Sequence, residues 1–254
     1  MKPFLYAVAA LVVAALIADR LSPADHPTKT DNKEQPGPQG SFLLVGGGST
    51  PPGARERFLE LAGGKDACIV LIPCASDLAN ETTAKALIQF WLQFKLRSVD
   101  VVLSTADAYK IRSATGVWIG GGDQLRLVKM LQNTPVAEEL HKLYLRGGVI
   151  GGTSAGASCV GGYMPYEDTC HPGFGFLQYL VVDQHFSQRG RYERLKKILA
   201  EHGDCTGLGI DEGTAVVIRG DIIEIMGVNS VTIFVPKEEE RKFRQGQKIA
   251  LARK

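Results

Sequence analysis

Val149-Ile150-Gly151-Gly152-Thr153-Ser154-Ala155-Gly156-Ala157-Ser158-Cys159-Val160 is the stretch on which the reading of this chain turns. An apolar run, Val149-Ile150, leads into a serine flanked by glycines, and Ala157 to Val160 have the composition of a short helix. A serine between glycines at a strand-to-helix turn is how a weak nucleophile is lifted clear of the backbone. The bend is tight, and the glycines remove the Cβ atoms that would clash there. The amide of Ala155, at the helix start, would point toward an oxyanion formed on a substrate. Any Gly/Ala/Ser-rich turn can match three fixed positions, so the surroundings have to carry the weight.

Outward from this turn, short apolar runs alternate with longer amphipathic segments, the pattern of a parallel sheet covered by helices. Strands are expected over 42–45, 68–73, 99–103, 117–119, 149–151 and 180–182. Helices are expected over 55–61, 82–94, 125–131, 136–145 and 192–202. After the serine the pattern changes. The runs 208–210, 214–218, 222–226 and 231–235 are separated by turn residues at Gly213, Gly220-Asp221 and Asn229. They read as antiparallel strands completing one edge of the sheet. The expected class is a three-layer α/β/α sandwich, mostly parallel, with antiparallel C-terminal strands.

That domain is expected to span 41–254. Residues 19–40 carry Pro23, Pro27, Pro36 and Pro38 among charged and small residues and read as a linker. Residues 1–18 contain Lys2 and then an uncharged apolar run, Phe4 to Ala18, closed by Asp19-Arg20. Its length suits a secretory signal and is short for a membrane span, but no small-x-small cleavage site ends it, because Leu16 stands in the way. A signal peptide or an uncleaved membrane anchor is expected, and with it an exported domain. Net charge is +2 and no basic stripe appears, which excludes a nucleic-acid partner on electrostatic grounds. Five cysteines (68, 74, 159, 170 and 205) lack zinc-site spacing; Cys159–Cys170 or Cys170–Cys205 could pair in an oxidising compartment. Cys68 and Cys74 flank a strand and read as buried thiols. No motif calls for a metal or cofactor. The oligomeric state, homodimer included, is left open.

A serine nucleophile needs a base. His185, just past the strand 180–182, falls at the carboxyl edge of the sheet, where Ser154 also emerges. His141, His202 and His26 lie in or near helices and in the linker, and His171 in a loop. Only 31 positions separate Ser154 from His185, too few for an α/β-hydrolase. For the acid that orients the imidazole, Glu167 is favoured, with Asp168 beside it and Glu212, after 208–210, as competitor. Gly120-Gly121-Gly122-Asp123-Gln124 follows a strand and could offer amides to a ligand, although Asp123 is equally a helix N-cap. Gly46-Gly47-Gly48 is a weaker loop of the same kind. Arg189, Arg191 and Arg194 follow His185; such a cluster is usually a solvated helix start, but near a site it suits carboxylates.

Taken together, residues 120–124, 152–157, 183–195 (Asp-Gln-His-Phe-Ser-Gln-Arg-Gly-Arg-Tyr-Glu-Arg-Leu) and 209–215 (Gly-Ile-Asp-Glu-Gly-Thr-Ala) closely resemble the cyanophycinases. These are serine peptidases related to the aspartyl dipeptidases, on a sheet like that of class I glutamine amidotransferases. The resemblance runs from about Ser41 to Pro236. It implies Ser154 as nucleophile, His185 as base, and an oxyanion held by amides near Gly122-Asp123 and at Ala155. It also implies a pocket lined by Gln124, Asp183, Gln184, Arg189, Arg191 and Arg194, with Glu212 in contact with substrate. The implied substrate is cyanophycin, a polyaspartate with arginine on its β-carboxyls, released as β-Asp-Arg. An aspartyl dipeptidase acting on other β-aspartyl peptides, or a tethered binding module without catalysis, are the alternatives. The segment from Ser154 to His185 is shorter than the cyanophycinase pattern, which is why the acid is unsettled.

Overall fold

The structure is a computed structural model that describes residues 40–251. The expected signal or anchor, and the linker up to residue 39, lie outside the described residues. Five parallel strands form the frame: β1 (Ser41–Val45), β2 (Cys68–Ile72), β3 (Ser98–Val101), β4 (Gly116–Ile119) and β5 (Val149–Thr153). They lie in the order β1-β5-β4-β2-β3. These strands are almost continuously apolar because both faces are covered. Alternation assigns each side chain to a face. Phe42, Leu44, Ile72, Ile119 and Ile150 pack on one side, and Leu43, Val45, Leu71, Trp118 and Val149 on the other. The second face is covered by α1 (Ala54–Leu61) and α2 (Glu81–Leu92), through Phe58 and Trp91.

The first face receives α3 (Gln124–Leu131), α4 (Pro135–Leu145) and the four-residue α5 (Ala155–Ser158). It also receives a second sheet, which the sequence pattern does not separate from the first. That sheet contains the hairpin β6 (Gly161–Tyr166) and β7 (Thr169–Pro172), then β8 (Leu177–Gln184), β9 (Thr206–Ile210), β12 (Ser230–Phe234) and β13 (Arg241–Arg244). Its order is β13-β12-β9-β8-β6-β7. The helix α6 (Tyr192–Glu201) closes its far side through Leu195 and Ile198. The α/β sandwich is therefore as expected, but the C-terminal strands are shared between two sheets. β10 (Thr214–Arg219), β11 (Ile222–Gly227) and β14 (Lys248–Ala250) extend the main sheet beyond β1 as antiparallel strands. β9 and β12 leave for the other. Period-two alternation marks a strand without saying which neighbour it pairs with, so the division is invisible locally.

Further elements depart from expectation. The β6–β7 hairpin contains Gly161, Gly162, Pro165 and Pro172, residues that argue against strand in a sequence pattern. Residues Thr105–Ser113 form a 3₁₀ segment, where no element is expected. All five cysteines are free thiols, so neither of the two possible pairs, Cys159–Cys170 or Cys170–Cys205, is formed. Cys159 is fully buried, and burial raises its thiol pKa far above the ordinary range. Cys74 is likewise buried and pushed up to about 11 by desolvation, whereas Cys68 is only half-buried.

Phe58 ties α1 to the sheet. Its ring is fully buried, 5.1 Å from that of Trp118 and 5.9 Å from that of Trp91. It sits so close to β5 that a Cβ on Gly151 would lie 2.8 Å from its ring. Phe58→Ala should lower unfolding free energy by roughly 3–5 kcal/mol in denaturant titration; a loss below about 1 kcal/mol would mean this aromatic cluster does not hold the helix.

Candidate active site

Ser154 stands where β5 breaks into α5, at φ 52° and ψ −114°. This conformation is disfavoured for a residue with a side chain and costs on the order of 1–3 kcal/mol. The surrounding backbone enforces it. The Ser154 amide donates to the Val45 carbonyl at 3.0 Å, and both flanking glycines are under other backbone. A Cβ on Gly152 would lie 2.3 Å from the Gly156 oxygen, and one on Gly156 would lie 2.3 Å from the Ile119 oxygen. The turn is thus wedged between β1 and β4, with its serine half-buried at the carboxyl edge of the strands.

His185 comes from the second sheet, as the residue after β8, at φ 48°. Its amide donates to the Gly46 carbonyl at 2.6 Å, and only 7% of the residue is exposed. Its Nε2 lies 2.9 Å from Ser154 Oγ, and its Nδ1 hydrogen-bonds Glu212 Oε1. A carboxylate accepts, so the proton sits on Nδ1 and the Nε2 lone pair faces the serine hydroxyl. Burial, reinforced by Arg189 and Arg191, lowers the His185 pKa against the opposing pull of Glu212. The imidazole is therefore neutral at neutral pH, the form a general base requires.

The carboxylate behind His185 corrects the expected assignment. Glu167 and Asp168 form the tip of the β6–β7 hairpin, where the Glu167 carbonyl accepts from Arg194 Nη1 at 3.0 Å. Glu212 takes the place at Nδ1 because β8 and β9 run parallel with Gln184 opposite Ile210. The residues just beyond each strand therefore leave the same edge side by side. The loop carrying Glu212 is anchored on both sides. Its amide donates to Gln188 Oε1 at 2.9 Å, and its carbonyl accepts from Asn229 Nδ2 at 2.8 Å. The buried Asp211 accepts from the Ser187 amide at 3.0 Å and from Ser230 Oγ at 2.7 Å. Burial opposes ionisation of Asp211, yet these hydrogen bonds prevail and hold its carboxyl below the usual range.

The loop Gly46-Gly47-Gly48, given little weight in the sequence, is the bed on which this pair lies. A Cβ on Gly47 (φ 101°) would lie 2.4 Å from His185 Nε2, and one on Gly48 would lie 3.1 Å from the Glu212 side chain. Three glycines closing a buried strand were the available signal, masked by Pro51-Pro52, which prevent an immediate helix.

The 120–122 loop faces the serine as expected, with one correction. The Asp123 amide donates to the Ala75 carbonyl at 2.9 Å and is not available to an oxyanion. Asp123 acts instead as N-cap of α3, accepting from the Arg126 amide at 3.0 Å. Gly121 is the loop member at the nucleophile: its Cβ, if present, would lie 3.8 Å from Ser154 Oγ. Gly122 and Ala155 remain the candidate amide donors.

The expected pocket residues divide. Asp183 is fully buried and cannot meet a substrate; it pairs with Arg191 (3.3 Å) and, through two contacts, with Arg194 (Nε at 3.0 Å). Arg191 also donates to the Gln184 carbonyl at 2.6 Å. These two guanidinium groups are thus committed to holding the end of β8. Gln124 is buried, donating to the Pro165 carbonyl at 2.8 Å. Gln184 is buried with its Oε1 3.5 Å from Ser154 Oγ. Arg189 alone of the cluster is exposed. The remaining described histidines lie elsewhere: His141 and His202 pack on Phe176 and Tyr163, and His171 lies beside Thr169.

The chain is similar to known peptidases over most of its length. The model of peptidase family S51 matches residues 42–226. A cyanophycinase of Synechococcus elongatus is 31% identical over 236 residues, covering 84% of this chain and 73% of that protein. One from Geminocystis herdmanii (strain PCC 6308) is 33% identical over 220 residues, covering 76% and 79%. The crystal structure of a peptidase from an acI-B1 actinobacterium superposes with a TM-score of 0.68 at 26% identity, covering 84% of this chain and 98% of that one.

The geometry sets a pH dependence. Because the His185 pKa is lowered, its base form persists to more acidic pH than a free imidazole. Labelling of Ser154 by a fluorophosphonate should rise through a midpoint below the ordinary histidine value of about 6.5 and be flat above it. A midpoint well above that value would contradict a desolvated, neutral imidazole.

Proposed function

The chain belongs to peptidase family S51, and we propose that it hydrolyses cyanophycin to β-Asp-Arg dipeptides through an acyl-enzyme on Ser154. The observation that carries this reading is the continuous hydrogen-bonded series Ser154–His185–Glu212, set on a strained turn that faces a glycine loop. The chain is a serine-type peptidase; its identity with cyanophycinases over most of its length supports the substrate.

In the proposed reaction, Ser154 Oγ attacks the scissile carbonyl carbon while its proton passes to His185 Nε2. Glu212 holds the resulting imidazolium in place. Charge on the carbonyl oxygen is met by the amides of Gly122 and Ala155. The tetrahedral adduct collapses as His185 returns the proton to the leaving nitrogen, freeing the amine product and leaving an ester on Ser154. Water, deprotonated by the same imidazole, hydrolyses that ester and restores the serine. Arg189, exposed beside His185, suits a free carboxylate of the aspartyl backbone.

Ser154→Ala should abolish release of β-Asp-Arg from cyanophycin. Glu212→Gln should lower kcat by roughly 10²–10⁴-fold. Glu167→Gln should stay close to wild type. Activity surviving in Glu212→Gln but lost in Glu167→Gln would reverse the acid assignment. Turnover of short β-aspartyl peptides without turnover of the polymer would make the protein a dipeptidase. A Ser154 inert to fluorophosphonate would leave only a binding role.

We extend the reading to location: the apolar run Phe4–Ala18, as signal or anchor, routes the domain out of the cytoplasm. Cell fractionation should find the full-length product in the membrane or the mature one outside it, and a wholly cytoplasmic pool would set this aside.

A further inference from the structure

A cavity of about 330 Å³ opens on the α1/α2 side of the main sheet, between the ends of β2 and β4. Its walls include Trp91, Trp118, Phe90, Gly120 and Gly121, and Arg55 is its only ionisable lining residue. Gly121 belongs to the loop that meets Ser154, so cavity and nucleophile share a wall. Arg55 is held there by aromatic faces. Its guanidinium carbon lies 5.0 Å from the Phe90 ring centre, 5.5 Å from Phe94 and 5.8 Å from Trp91. Its Nε is buried and has no hydrogen-bond partner. Among the described residues no carboxylate pairs with it.

A guanidinium with a buried, unmet donor is costly, because desolvation is not offset by a partner. Aromatic stacking fixes the plane of the group but uses none of its in-plane N–H donors. The result is a positive fork, preoriented in a mostly apolar recess whose other polar side chains are the hydroxyls of Ser76 and Thr83, and one wall of which is the loop that meets the reacting serine. Low polarity around it strengthens any ion pair formed there. We propose that this cavity is a substrate subsite in which Arg55 binds a carboxylate of the peptide. The inference rests on the reading of Ser154 as a peptidase nucleophile, and it adds a second carboxylate-reading position to that of Arg189. An acidic substrate chain is then held at two points that flank the cleavage site.

The chain contains two tryptophans, and both line this cavity, so intrinsic fluorescence reads it without any turnover. The full chain should show a saturable fluorescence change with succinate and little with succinamide, its uncharged analogue. Arg55→Gln should weaken the succinate response at least about tenfold while Ser154 remains fluorophosphonate-reactive. Arg55→Lys keeps the charge but loses the fork, and should weaken it at least about threefold. An absent response in the wild type, or one undiminished in either variant, would overturn the subsite. Failure to cleave cyanophycin would count against the proposed function and leave this binding result standing, so the two failures are told apart.

Discussion

Ser154 follows a strand of one sheet, His185 follows a strand of the other, and Glu212 lies in the crossing between them; the seam between those sheets is the constraint on which the site depends. At the seam the Gly46 amide donates to Thr214, the Gly46 carbonyl accepts from His185, and the Gly47 carbonyl accepts from Gly213. A Cβ on Gly46 would lie 2.3 Å from the Asp211 oxygen, so the backbones touch with no side chain between them. One short loop thereby receives the end of β8, the turn after β9 and the start of β10. The chain crosses from the second sheet to the first within Asp211-Glu212-Gly213. Asp211 holds that crossing by bonding both the loop after His185 and the start of β12. Backbone contact of this kind fixes atoms more tightly than long side chains can, which suits a hydrogen-bonded series that must keep its geometry.

Charge is distributed by burial. Asp183 is spent neutralising two guanidinium groups inside the fold, and that cluster secures the end of β8 on which His185 is mounted. Arg189 is exposed to solvent. Arg55, across the serine loop, is stacked but unpaired. Of four arginines near the proposed chemistry, two are therefore structural, one is exposed on the surface and one lines the cavity. A substrate carrying several carboxylates matches the second pair, while the first explains how a basic segment can serve stability without touching substrate.

Several features were legible because their cause is local. The turn at Ser154 announces itself, since glycines flanking a serine between an apolar run and small residues serve one backbone shape. The parallel frame was legible from short apolar runs separated by amphipathic helices, with boundaries shifted by a residue or two. His185 was found from its position just beyond a strand. Glu212 is visible in the sequence as a competitor to Glu167, but only the pairing of β8 with β9 brings it to His185. The glycines 46–48 carry a weak local signal, because a glycine's need for close approach shows only when the approaching atoms are known. Arg55 carried no signal at all, because its aromatic neighbours lie a helix away in sequence.

By itself, then, the sequence determined the class of fold, the strained serine and the histidine beside it, because hydrophobic periodicity and backbone sterics act over a few residues. Only the tertiary structure decided which strands share a sheet, which carboxylate stands behind His185, and which arginines are free. Those outcomes depend on strand register and burial, and the parallel pairing of β8 with β9 brings together residues 27 positions apart. No local pattern encodes that pairing, since a strand's alternation is satisfied equally well by several neighbours.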